Sequence, residues 1–198
     1  NSIKPHFFYS ALNLSEVGLN RTIERLSTGE RINNSFDDAA GLQISSNLRA
    51  DIRIMNQARR NANDANGRIA VAEGVMEEAV NLLTRAAELA EQSASGTTTS
   101  AGRVALNQEF AEIQDALEAL NRDVKFDGKS IFGSTFVARV GETSVETVSV
   151  TTVSIDSTTL GVTGNLVTSG SSDVALGQVT AAIEAISQNR GALGAKAQ

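Results

Sequence analysis

The side chains that could do chemistry in this chain of 198 residues are few and scattered. The single histidine, His6, has no second histidine or cysteine with which to form a metal site or a catalytic pair. Asp37 and Asp38 are adjacent, so they would not face each other on a helix, and a favourable interaction with the helix dipole explains them better. Glu77 and Glu78 fall on the polar side of an apolar pattern. The sequence therefore predicts no catalytic residues, no metal ligands and no cofactor, and an enzyme is the least favoured class.

Charge and composition exclude several other functions. The net charge of -6 and the pI near 4.9 argue against nucleic acid and against anionic membrane surfaces, which need clustered basic residues. The absence of cysteine excludes disulfides and thiolate metal sites. No apolar run approaches the roughly 20 residues of a membrane span, so no membrane insertion is expected. No cleavable signal peptide is visible, so export would need a different route.

The elements that carry these residues are marked by three heptad-like stretches, in which apolar residues recur at alternating steps of three and four. The first contains Ile69, Ala72, Met76, Ala79, Leu83, Ala86 and Ala90. The second contains Leu106, Phe110, Ile113, Leu117, Leu120 and Val124, and the third contains Leu176, Val179, Ile183, Ile186, Arg190 and Leu193, with Arg190 as a polar break. Such seams pack helices side by side along their lengths and leave little concave surface for a substrate. They favour a structural or interaction protein.

Turn and capping signals divide the chain into four helices. The first runs through about Leu26 and ends at Gly29, and an Asn33–Ser35 turn precedes the helix signal at Asp38. Long helices are predicted over 39–95, 101–124 and 173–198, the last with Asp173 as its N-cap. The apolar pattern still continues at the final residue, which predicts a continuation of this helix.

Between the last two helices the periodicity becomes strand-like, giving a β region over 126–168. Asp127–Gly128 between apolar flanks is a strong hairpin signal. Strands are predicted over Phe136–Val140, Val145–Val150 and Thr151–Ile155, with a bulge or bend between Val150 and Val153 and a short strand near Leu166–Val167. The predicted fold class is mainly α: an elongated antiparallel helical bundle, a coiled-coil-like rod, with a small β-hairpin region.

Ordered sequence blocks resemble bacterial flagellin. They are Thr22–Gly29, Arg31–Asn33, Asp37–Leu42, Gln57–Asp64, Glu88–Gly96, Phe126–Lys129, Val140–Gly141, Glu146–Val150 and Asn189–Ala195. The resemblance implies the structural subunit of a motility filament, assembled by helical stacking outside the cell after export through the flagellar type III channel. It implies residues 1–35 as a helical filament-core segment, the first ten of them atypical, and 36–198 as a rod domain.

The resemblance also implies partners: further copies of the subunit, an export chaperone and a cap protein. The family continues past Gln198, so the chain is expected to be a core fragment lacking the C-terminal end, which does not polymerise unaided.

The flagellin resemblance further implies binding to Toll-like receptor 5, and hence a role in innate immunity. The positions that match the family's receptor contact are Arg85 and Leu89, one helical turn apart, with Glu109 on the next helix and Gln92 beside them. Leu89 lies one step off the seam, so we expect it to be partly exposed. Alternatively, these side chains serve filament packing or the bundle itself.

Two alternative functions remain at this stage. A hook–filament junction protein would share the N-terminal blocks, although Glu88–Gly96 favours flagellin itself. A flagellin homologue acting as a cell-surface adhesin or polysaccharide-binding protein is the other, although the sequence has no Trp and only 4% aromatic residues for a sugar platform.

Overall fold

A computed structural model of the chain describes residues 4–29, 32 and 38–197. Its contacts group the chain into two units, Asn1–Asn56 and Gln57–Gln198. In the first unit, helix α1 (Lys4–Thr28) ends at Gly29, which has a φ of 70° and donates its N–H to the carbonyl of Arg25 at 2.9 Å. Glycine adopts this left-handed conformation without a steric penalty, so the predicted helix stop is confirmed.

Helix α2 (Ala39–Ala94) is 56 residues long. The Asp38 carboxylate accepts the N–H of Gly41 at 2.8 Å and so caps the first turn, as the sequence predicts. Gly67 and Gly74 lie inside the helix without interrupting it. The part of α2 from Gln57 onward is therefore one uninterrupted helix within the second unit.

Two further helices in the second unit run antiparallel to α2: α3 (Ser100–Asp123) and α4 (Ser169–Gly194). Near the start of α3, Arg103 reaches back to the end of α2, and the later Glu109 pairs with the earlier Arg85. For α4, Ser169 bonds the carbonyl of Ala94, and Arg190 pairs with Glu77 at 3.4 Å. The mainly α, antiparallel fold is confirmed, and Arg190, the polar break in the seam, is explained by its partner.

The three seams meet in one apolar core. Its fully buried members include Met76, Leu83, Phe110, Leu117 and Ile186, each taken from a predicted heptad position. Other seam residues, Leu106, Leu120, Val124, Leu176 and Ile183, are half-buried at its margin. Burial of these side chains supplies the main stabilisation of the bundle.

Two antiparallel hairpins follow α3. Strands β1 (Lys125–Phe126) and β2 (Lys129–Ser130) are joined by Asp127 and Gly128, with φ values of 50° and 73°, as the predicted Asp-Gly turn requires. Strands β3 (Ser134–Arg139) and β4 (Thr147–Thr152) pair in a register that places Ser134 opposite Thr152. The predicted strand over Thr151–Ile155 is wrong beyond Thr152, because the chain leaves the ladder there, and this exit replaces the predicted bulge.

An irregular segment, which we call the strap (residues 153–168), runs from β4 to α4 along α3. Its buried apolar residues are Ile155, Val162 and Leu166. Side chains of α3 hold its backbone: Asn121 accepts the N–H of Ile155 at 3.0 Å, and Gln114 donates to the carbonyl of Val162 at 2.7 Å. The strand predicted near Leu166–Val167 is therefore wrong, because side chains rather than a neighbouring strand satisfy this backbone.

Helix α4 begins at Ser169, earlier than the predicted residue 173, because Thr168 and Ser171 form a capping box. Asp173 is exposed inside the first turns, so its prediction as the N-cap is wrong. Among the described residues, no helix is long and apolar enough to cross a membrane.

Candidate functional site

The surface formed by α2 and α3 brings together two of the four predicted receptor-contact residues. Nε and Nη2 of Arg85 both lie 2.8 Å from Oε1 of Glu109, and Nη1 bonds Glu88 at 3.0 Å. Arg85 and Glu88 are on successive turns of α2, and Glu109 faces them because α3 runs antiparallel. This arrangement positions one guanidinium between two carboxylates.

The cluster is open to solvent, with about half of the side-chain surface of both Arg85 and Glu109 exposed (51% and 46%). The hydrogen bond that Arg85 donates to Glu109, helped by the one that it donates to Glu88, raises the pKa of Arg85 above its ordinary value, so the cation is permanent. An exposed pair of this kind adds little to stability because water and salt screen it.

Leu89 does not belong to this exposed surface. Its side chain is fully buried in the core, against the sequence expectation of partial exposure. The reason is that α2 packs against α3 on one side and α4 on the other, so its buried arc is wider than a two-helix seam and includes both Leu89 and Ala90. Leu89 therefore supports the helix from inside, behind Arg85.

Gln92 is exposed one turn beyond Glu88, near the end of α2. The main-chain carbonyl oxygen of Gln92 accepts a hydrogen bond from the Thr98 hydroxyl at 2.6 Å, which ties the α2–α3 loop to the helix. Gln92 itself is exposed at the rim of the Arg85 cluster.

The other candidates from the sequence have structural explanations where the structure describes them. Asp38 caps α2, and Glu77 pairs with Arg190 on α4. The side chain of His6 and the whole of Asp37 lie outside the described part of the chain. Within residues 4–29, 32 and 38–197, no three metal-ligating side chains cluster.

A second surface, which the sequence patterns do not predict, is a groove of about 640 Å³ between α2 and the two hairpins. Arg68 lies in its wall, nine-tenths buried, and Nη2 bonds the carbonyl of Ser130 at 2.7 Å and the hydroxyl of Ser134 at 3.1 Å. Its guanidinium also covers the ring of Phe136, 4.4 Å from the centroid. The signal in the sequence is an arginine between Ala65 and Ala72, on the apolar face of α2.

Comparison with known proteins gives a family match over most of the chain. A sequence profile for the bacterial flagellin N-terminal helical region matches residues 8–136. The chain is 41% identical over 140 residues to Flagellin E of Vibrio cholerae serotype O1, covering 69% of this chain and 37% of that protein. It is 38% identical over 153 residues to the B-type flagellin of Pseudomonas aeruginosa, covering 76% of this chain and 31% of that protein.

A solved structure agrees on the fold. The crystal structure of Bacillus cereus flagellin superposes with a TM-score of 0.63 at 22% identity, over 70% of this chain and 82% of that one. The chain spans about a third of the length of the curated relatives it matches.

Proposed function

Because this chain belongs to the bacterial flagellin family, we propose that it serves as a structural subunit of the flagellar filament, outside the cell and in motility. The observation that carries the proposal is the profile match over residues 8–136. The family is structural rather than enzymatic, as the sequence predicts.

The mechanism is assembly of exposed helical surfaces rather than chemistry. On α1 the apolar side chains of Leu12, Leu14, Leu19 and Leu26 are each more than half exposed, so the helix offers contacts to neighbouring subunits. Contacts between different patches of successive copies generate an open helical array. An export chaperone, the type III channel and a cap protein are the partners that such a subunit needs before and during assembly.

Immunogold electron microscopy with antibodies raised against this chain tests the proposal on cells of the source organism. Label along the whole length of sheared filaments is the expected result. Label restricted to the base of each filament would support a hook–filament junction protein instead. Label on the cell surface without filaments would support the adhesin or polysaccharide-binding alternative.

We also propose that the Arg85 cluster is the contact surface for Toll-like receptor 5. Support comes from the exposed, charge-paired side chains of Arg85 and Glu109, with Gln92 at the rim. Leu89 enters this proposal as a buried residue that positions α2, not as a side chain that touches the receptor.

Receptor signalling in cells that express Toll-like receptor 5 tests this second proposal. Arg85→Ala and Glu109→Ala should each reduce signalling strongly while leaving the circular dichroism spectrum unchanged. Arg122→Ala is the control, because Arg122 also forms an exposed ion pair, with Asp123 at the other end of α3, where 70% and 63% of the two side-chain surfaces are exposed. Equal signalling by all three variants would assign the cluster to filament packing or to the bundle.

A further inference from the structure

The turn between β1 and β2 places an aspartate directly before a glycine at an exposed tip. Asp127 and Gly128 are both exposed, and a side chain built on Gly128 would meet nothing within 4 Å. Among the described residues, the Asp127 carboxylate has no hydrogen-bond partner. The Gly128 nitrogen is therefore open to an approaching electrophile, with no side chain of its own to block it.

We propose that Asp127–Gly128 is a site of spontaneous isoaspartate formation in the folded protein. The Gly128 nitrogen attacks Cγ of Asp127 in its protonated form, a C–N bond forms, and the carboxyl hydroxyl leaves as water with the amide proton, giving a five-membered succinimide. Water then adds to either ring carbonyl. Opening at the side-chain carbonyl restores aspartate, and opening at the main-chain carbonyl yields isoaspartate, so the balance needs only water.

The shortness of the hairpin makes the turn accessible to this reaction. Only two residue pairs close it, Lys125 with Ser130 and Phe126 with Lys129. A two-stranded hairpin of this size is marginal alone and opens locally more readily than the helices. Asp127 can therefore leave its left-handed conformation and reach the cyclising geometry without unfolding of the bundle.

Asn66–Gly67 provides an internal contrast. Asparagine before glycine forms the succinimide faster than aspartate in an unstructured peptide, because the carbon of a neutral amide is a better electrophile than that of an ionised carboxylate. Here, however, the pair lies in the interior of α2, where each peptide group is fixed in the helical ladder. The ring of Phe126 also lies 3.8 Å from the position of a Gly67 side chain. In the folded protein, succinimide formation should therefore be faster at Asp127–Gly128 than at Asn66–Gly67, the reverse of the order in an unstructured peptide.

Isoaspartate at residue 127 would change the contacts that the β1–β2 hairpin makes with α2. It lengthens the main chain by one methylene in a turn that accepts only two residues with positive φ. The loss of register moves the Ser130 carbonyl away from Arg68 and the Phe126 ring away from Gly67. The modification therefore loosens the hairpin side of the groove and leaves α2, α3 and α4 in place.

Prolonged incubation of the folded chain in oxygen-18 water, followed by digestion in ordinary water and peptide mass spectrometry, tests the proposal. Each passage through the succinimide leaves one heavy oxygen at residue 127, and an isoaspartyl methyltransferase assay counts the rearranged product. Asp127→Gly is the negative control, because Gly-Gly supports the same turn but has no carboxylate. Asp127→Asn is the positive control, because Asn-Gly keeps the turn and deamidates with a gain of about three mass units in oxygen-18 water.

The expected result is heavy-oxygen uptake at Asp127 that exceeds deamidation at Asn66 in the folded chain, with the order reversed in denaturant. Uptake should be lost in Asp127→Gly. Two results would overturn the proposal: uptake at residue 127 only in denaturant, or deamidation at Asn66 that equals or exceeds it in the folded chain. If Asp127→Asn also resists deamidation until it is unfolded, the turn itself protects the site and the proposal is wrong.

Discussion

The guanidinium of Arg103 on α3 donates from Nε to the carbonyl oxygen of Ser93, 2.8 Å away in the last turn of α2. Its Nη2 bonds the carbonyl of Ser95 at 3.1 Å, in the loop that follows. The last carbonyls of a helix have no partner in their own ladder and carry partial negative charge. One side chain therefore satisfies the Ser93 carbonyl, adds a second donor to the Ser95 carbonyl, which also accepts the N–H of Thr98, and ties α3 to the end of α2.

Replacing Arg103 with methionine should destabilise the second unit, because the Ser93 and Ser95 carbonyls lose charged donors that the new side chain cannot supply. Hydrogen bonds to charged groups each contribute about 1.5–3 kcal/mol, and water can replace part of this at the rim, so we expect a net loss of about 1–2 kcal/mol. Urea unfolding followed by circular dichroism measures it as a lower midpoint at an unchanged slope. Arg103→Lys keeps the charge but not the planar two-donor geometry, so its urea midpoint should lie between those of the parent and the methionine variant. An unaltered midpoint in the methionine variant would show that solvent serves these carbonyls equally well.

Leu89→Ala should cost about 2–5 kcal/mol, as expected for a cavity in a packed core, because the leucine is fully buried. Gln92→Ala, on the exposed side of the same helix, should change stability by less than about 0.5 kcal/mol. Thermal unfolding of the two variants distinguishes the buried Leu89 from the exposed Gln92, although the sequence predicted both as receptor-contact residues. A Leu89→Ala protein as stable as the parent would mean that the side chain is exposed after all.

The contrast between these two residues shows how far sequence patterns reach. Heptad spacing correctly predicted Met76, Phe110 and Ile186 as core, since a repeat every 3.5 residues leaves one face for burial. The Asp127–Gly128 turn was predictable because few residues tolerate positive φ.

Leu89 and the strap were not predictable in the same way. Burial of Leu89 depends on a second helix contacting α2, which the spacing within α2 alone does not reveal. The strap has no periodicity, and it is fixed by hydrogen bonds that its backbone N–H groups donate to distant residues such as Asn107 and Gln178. The ion pair between Arg85 and Glu109 likewise depends on the register between two helices.

Asp156, in the strap, should make stability depend on pH in the acid range. Partial burial alone would raise the pKa of this carboxyl, but hydrogen bonds from the Ser154 hydroxyl and from Thr159 outweigh it and lower the pKa below its ordinary 3.8. Since the folded-state pKa is depressed, the contribution to stability is complete above the unfolded-state pKa and is lost as pH falls through the folded value. The stability difference between the parent and Asp156→Asn should therefore shrink on acidification. A difference that stays constant with pH would show that the carboxylate is not preferentially ionised in the fold.

Removing two of the α3 side chains that hold the strap, Gln114 and Asn107, should release this part of the strap while the helices stay folded. Gln114 donates to the carbonyl of Val162 at 2.7 Å, and Asn107 accepts the N–H of Leu166 at 2.8 Å. Both bonds fix backbone groups that have no strand partner, so Gln114→Ala and Asn107→Ala should each cost about 1 kcal/mol, more for the pair.

Native-state hydrogen exchange is the measurement that isolates this release, because local opening is reported residue by residue. In the double variant, the Leu166 amide should lose protection while amides in the middle of α2 keep theirs. Gln188→Ala is the control, since Gln188 is an exposed α4 residue whose side chain donates to Glu184 on its own helix. Equal loss of protection in the strap and in α2 would contradict the prediction, because it would mean that strap and helices open only together as one cooperative unit.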